Sequence, residues 1–173
     1  RYEARCDQPC PVNLTNHAYF NLDAHHGDAR QHRLQLHADQ YLPVDSEGIP
    51  NAPLKAVADT SFDFRNAKVV AQDFLTDDDQ RAVKGYDHAF LPNSPGDDSP
   101  PAAEPWSEDG RSQLSLTTPA PALPFYTGNY LACTPARVPA SHTAFHRIAL
   151  AMHLLPAPSN PARRPHPASP LPP

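Results

Sequence analysis

Apolar and polar residues alternate at four places along the chain, and a period of two predicts short, half-buried strands. Tyr2, Ala4 and Cys6 alternate with charged residues near the start, and Leu34, Leu36 and Ala38 repeat the pattern in "HRLQLHA". Further on, Leu114 and Leu116 alternate with Ser and Thr, and "RIALAMHLL" sets Ile148, Leu150, Met152 and Leu154 on one face. The one helical stretch is short: "NAKVVAQDFLTDDDQ" puts Val70 and Phe74 four apart, enough for a turn or two before an acidic loop at Asp77, Asp78 and Asp79. Short strands separated by Pro, Gly and Asp predict an all-β, antiparallel sandwich. Three segments read as loops: the polar 23–32, the turn-rich 42–53 and the low-complexity 91–105.

Composition changes this picture at one end. The chain has 173 residues, enough for one domain with a core, but 23 of them are proline, more than twice average usage. Eight fall in residues 156–173, where hardly any large apolar side chain follows Leu155. The expected organisation is a folded domain over 1–155 and a proline-rich, irregular C-terminal tail over 156–173. A net charge of −5 and a pI near 6.0 give no electrostatic reason to expect nucleic acid or an anionic membrane as partner. The chain lacks a long apolar run and a signal-peptide pattern, and three cysteines without a C-x-x-C spacing argue against a disulfide framework or zinc site. The expected setting is the cytoplasm. The start, without methionine and in what reads as the middle of a strand, suggests a fragment.

Candidate chemistry gathers in two strings. In "TNHAYFNL" a strand would bring His17 and Tyr19 to one face, where an imidazole beside a phenol can protonate or bind oxygens; the alternative is a hydrogen-bonded sheet histidine. In "KGYDHAFL" Asp87 is either a turn aspartate or an acceptor for ligand hydroxyls. His25, His26 and His32, with Asp23 and Asp28, lack an ordered ligand spacing and read as a solvated loop, not a metal site. The run Asp77 to Asp79 reads as a solvated face, and Trp106 either stacks on a sugar ring or plugs a core edge.

Taken in order, "PCPVNLTNHAYFNL", "LHADQYLPVDSEGIP", "TSFDFRNAKVV", "KGYDHAFL" and "LPFYTGNYL" resemble the galactose mutarotase (aldose 1-epimerase) family, from about Tyr2 to Pro135 and more weakly to about Asn160. The resemblance implies the C-terminal part of a large antiparallel β-sandwich of the mutarotase-like supersandwich type. It implies interconversion of the α and β anomers of aldohexoses, galactose and glucose above all, without metal or organic cofactor. An acid protonates the ring oxygen while a base takes the anomeric hydroxyl proton, so two groups of opposite protonation state are needed. On the family pattern His17 is the proton donor, Ala18 and Tyr19 line the sugar site, and Asp87 binds sugar hydroxyls.

Three departures accompany the resemblance. The family's glutamate base falls on Ala151, a glutamine that contacts the sugar falls on Pro124, and the N-terminal half, with a second histidine and an arginine, lies outside the sequence. His153, two residues from Ala151, faces the same way, but the neighbouring pocket residues that a replacement base would need are also missing. The expected function is therefore a catalytically impaired aldose 1-epimerase fragment, the alternative a non-catalytic carbohydrate-binding module; oligomeric state is left open.

Overall fold

A computed structural model describes residues 5–8, 14–24, 27–96, 100–132, 134–135, 143–152 and 154–155. Among them are nine short strands: β1 (Tyr19–Phe20), β2 (Arg33–Leu36), β3 (Ala38–Leu42), β4 (Lys55–Ala56), β5 (Lys68–Val69), β6 (Asp87–Pro92), β7 (Ala103–Trp106), β8 (Leu123–Tyr126) and β9 (Ile148–Leu150). All pair antiparallel, in a six-stranded sheet ordered β1-β9-β8-β6-β3-β4 and a three-stranded sheet ordered β5-β2-β7. The all-β expectation holds.

The core forms where the two sheets contribute to one apolar cluster. Leu34, Leu36 and Ala103 come from the small sheet; Tyr41, Phe90, Leu123, Phe125, Ile148 and Leu150 come from the large one. Aromatic rings fill it. Phe62 stacks on Tyr41 at 3.9 Å and meets the edges of Tyr86 and His88 at 5.5 and 4.7 Å, in the offset and edge-to-face contacts that ring quadrupoles favour.

Leu34, Leu36 and Ala38 are all buried as their alternation predicts, but the strand breaks at His37 and Ala38 opens β3 in the other sheet. The alternation of Leu114 and Leu116 does not yield a strand; it yields two isolated bridges, Ala103 to Leu116 and Trp106 to Gln113. Part of the segment read as the loop 91–105 is ordered as the end of β6 and as β7, because Leu36 and its neighbours on β2 need an antiparallel partner. At the start, Arg5 and Cys6 are irregular, while Tyr2 and Ala4 lie outside the described residues, as does the tail 156–173.

The helical stretch splits in two. Val70–Asp73 is a 3-10 turn with Val70 buried, and α1 (Asp78–Ala82) follows it. Of the acidic run only Asp78 is a solvated side chain: Asp77 caps α1 by accepting the Asp79 N–H at 2.9 Å, and Asp79 accepts the Tyr41 hydroxyl at 2.8 Å and the Lys55 ammonium at 2.7 Å. Negative charge in the first turn of a helix also matches its dipole.

Candidate functional site

Strand register assembles the site. Tyr19 lies opposite Ala149, Ala149 opposite Tyr126, and Tyr126 opposite Asp87, which makes one row across β1, β9, β8 and β6. Directly paired residues of antiparallel strands project from the same face. The alternate positions Phe20, Ile148, Phe125 and His88 turn the other way, towards the aromatic core. One face of the large sheet is therefore packed, and the other carries the polar row.

Two glycines make this row possible. Gly85 adopts φ +150°, and a Cβ there would stand 2.4 Å from the Asn129 side-chain oxygen; at Gly128, with φ +69°, it would stand 2.6 Å from the Arg147 carbonyl. These close approaches let the "TGN" turn after β8 grip the "GYD" turn before β6. The Thr127 hydroxyl accepts the Tyr86 N–H at 3.0 Å, and the Asn129 amide donates to the carbonyls of Val83 and Tyr86 at 2.8 and 3.2 Å. Asp87 and Tyr126, at the adjacent strand ends, are held in register by that network.

His17 precedes β1 in irregular backbone instead of lying within a longer strand, because β1 has only two residues. Its ring still packs against Tyr19, 5.0 Å between centroids, so the two share a side as expected. Tyr19, 37% exposed, meets the edge of Tyr126 at 6.3 Å across the methyl group of Ala149. The Ala18 N–H is donated to the Asn16 side chain at 3.0 Å, which turns this main-chain donor back on its own loop. Burial pushes the Asp87 carboxyl above the usual carboxylate range, and proximity to His17 acts the other way. Burial, and then the charge of Asp87, raise the phenol of Tyr19; Tyr126 is raised mainly by burial, and its hydroxyl accepts the Tyr130 N–H at 2.9 Å. His17, Tyr19, Tyr126 and Asp87 thus form one cluster, of which the sequence reading missed Tyr126. The signal was present in "LPFYTGN", since Tyr126 shares a face with Pro124 two residues before it.

The next row is apolar. Ala151 donates its N–H to the Pro124 carbonyl at 3.1 Å, Pro124 lies opposite Ala89, and Ala89 opposite Leu42. Ala151 is 2% exposed and carries no proton-accepting side chain. A residue in an antiparallel strand directs its C=O and N–H to the same neighbour, so the donor that proline lacks would have pointed at β9 beside Ala151. The β8–β9 ladder accordingly stops at Leu150. His153 lies outside the described residues.

Trp106 is half-buried on β7 in the other sheet, paired with Arg33, and does not join the cluster. Among the described residues no group of acidic, histidine or cysteine side chains could hold a metal ion. His25 and His26 lie outside those residues, but His32 departs from the solvated-loop expectation: it is 0% exposed and set against Asp23. No described helix is long and apolar enough to cross a membrane.

Residues 1–162 match the aldose 1-epimerase family. The chain is 54% identical over 166 residues to an aldose 1-epimerase of Escherichia coli K12, covering 96% of this chain and 48% of that protein. It is 36% identical over 134 residues to the galactose mutarotase of Homo sapiens, covering 75% of this chain and 37% of that one. In structure it is similar to a galactose 1-epimerase from Lactobacillus acidophilus NCFM, with a TM-score of 0.72 and 31% identity over 91% of this chain and 44% of that one. The chain therefore spans about half the length of the curated relatives it matches, and it belongs to the aldose 1-epimerase family.

Proposed function

We propose that this chain carries the sugar-binding and proton-donating part of an aldose 1-epimerase site, with the epimerisation itself impaired. The substrate class is an aldohexose, galactose or glucose. Asp87 accepts hydrogen bonds from sugar hydroxyls, Tyr19 and the main chain at Ala18 wall the ring, and His17 supplies the proton to the ring oxygen. Supporting this reading is the row that brings Tyr19, Tyr126 and Asp87 to one face with His17 packed on Tyr19.

The apolar row beside it favours binding over turnover. Ring opening needs the anomeric hydroxyl to lose a proton as the ring oxygen gains one. At the base position the methyl group of Ala151 accepts nothing, and Pro124 opposite offers no amide. A non-catalytic carbohydrate-binding module is the second reading, and these two residues are what favours it.

Polarimetry of freshly dissolved α-galactose, paired with a chemical-shift titration of the labelled chain by galactose, tests both halves. The expected result is saturable shifts at His17 and Tyr19 with a rotation rate equal to buffer. Accelerated rotation would overturn the impairment, and shifts that never saturate would overturn the sugar site.

A further inference from the structure

Behind the segment that carries His17 and Tyr19 lies an imidazole with no part in the polar row. His32 is fully buried, and its Nε2 accepts the Leu22 N–H at 3.1 Å while standing 3.1 Å from an Asp23 carboxylate oxygen. Among the described residues its Nδ1 has no hydrogen-bond partner. One imidazole nitrogen can serve only one of these neighbours. With a lone pair, Nε2 holds the Leu22 amide; carrying a proton, it donates to Asp23 and leaves that amide without an acceptor. Burial lowers the pKa of His32 against the opposing pull of Asp23, Asp28 and Glu108, the charged groups around it, which keeps the ring neutral near neutral pH with a single proton to place, and the Leu22 N–H directed at Nε2 selects the first arrangement.

The surroundings fit that division of labour. Asp23 is supplied separately by the Glu108 N–H, 3.2 and 3.3 Å from its two oxygens. Asn21 donates to the His146 carbonyl at 2.8 Å, on the turn that leads into β9, and accepts the Asp23 N–H at 3.0 Å. The three residues after β1 are each tied to a different part of the fold, and Leu22 is tied by His32. Strand β1 needs such a tie, because two residues paired only with β9 do not fix their own position.

We infer that His32 is a positioning residue for the candidate sugar site: by accepting the Leu22 N–H it sets the exit of β1, and with it the seating of Tyr19 and His17 on the face that carries Tyr126 and Asp87. Its functional meaning rests on the proposed sugar site, but its geometry is measurable without sugar.

Long-range proton–nitrogen correlation spectra of the labelled chain near neutral pH should show His32 with its proton on Nδ1; a proton on Nε2 would overturn the inference. In His32→Leu, exchange of the Leu22 amide should rise about tenfold, as expected for one lost hydrogen bond, and the Tyr19 ring signals should move. The core amides of Phe90 and Leu123 should keep their protection. His32→Gln, whose carbonyl oxygen can accept the same N–H, should restore Leu22 protection and the Tyr19 signals. Unchanged Leu22 exchange in His32→Leu would overturn the inference, and so would a folded His32→Gln in which Leu22 exchanges freely. All signals are read in the sugar-free chain, so a failed galactose titration sinks the proposed function and leaves this result standing.

Discussion

The two faces of the six-stranded sheet are built from alternate residues of the same strands, yet they differ in how much change they tolerate. On the core face Phe90, Phe125, Ile148 and Leu150 interlock with Phe62, Phe64 and Tyr86. The opposite face keeps Tyr19, Tyr126 and Asp87 in one row but carries Ala151 and Pro124 in the next. The difference teaches that fold and chemistry are recorded on separate strand positions: alternate residues of one strand serve the core and the proposed sugar face independently.

The sharpest separation should come from the core. Phe62→Ala removes a ring stacked on Tyr41 and edge-on to Tyr86 and His88, and should cost about 3–5 kcal/mol in urea unfolding. An effect below about 1 kcal/mol would break the contrast between the faces.

Acid should attack the same face. His88 is 1% exposed, its Nε2 has no partner among the described residues, and burial depresses its pKa from 6.5 to about 4. The unfolded chain thus takes up a proton before the folded one does. The stability from a neutral His88 is complete above about pH 6.5 and is lost as pH falls towards about 4, a decline of about 3 kcal/mol. Unfolding curves across that range should show the decline and should show it shallower in His88→Phe, with a remainder from His32, which is depressed in the same direction.

On the other face a smaller cost is expected from Ala149→Leu. The larger side chain would wedge between Tyr19 and Tyr126, with a penalty of about 1–3 kcal/mol and loss of the galactose-induced shifts at Tyr19. Retained shifts would mean that the tyrosine pair is not part of the sugar wall.

Least costly to the fold should be Asp87→Asn. Burial works against this carboxylate, so the substitution should leave stability unchanged or slightly higher while weakening galactose binding about tenfold or more. A destabilised variant with unaltered affinity would reverse the assignment of this residue to the sugar face.

Much of this contrast was legible in the sequence. Alternation around Leu34 and Ile148 marked the core strands, and the ordered motifs singled out His17, Tyr19 and Asp87, which the fold brings near one another. What alternation could not show was pairing: Tyr126 and Ala149 enter the row only through register, which depends on strands far apart in sequence. The buried role of His32 was hidden for a related reason. Its polar neighbours in the 23–32 segment made it look solvated, whereas the turn Ala29–Gln31 folds it inward against Leu22. Leu114 and Leu116 failed in the opposite direction, since alternation without a full partner strand gives only isolated bridges.

Pro124 and Ala151 are cross-strand neighbours, so on the proposed reading the effects of substituting them depend on each other. Ala151→Glu alone would place a carboxylate at the end of a strand whose ladder is already one donor short, facing a pyrrolidine ring. Pro124→Gln made first would give that ladder a backbone donor and this sheet face an amide, so the second change would meet a prepared neighbour. The two orders of substitution therefore differ at the first step, and a single pair of facing residues makes them differ.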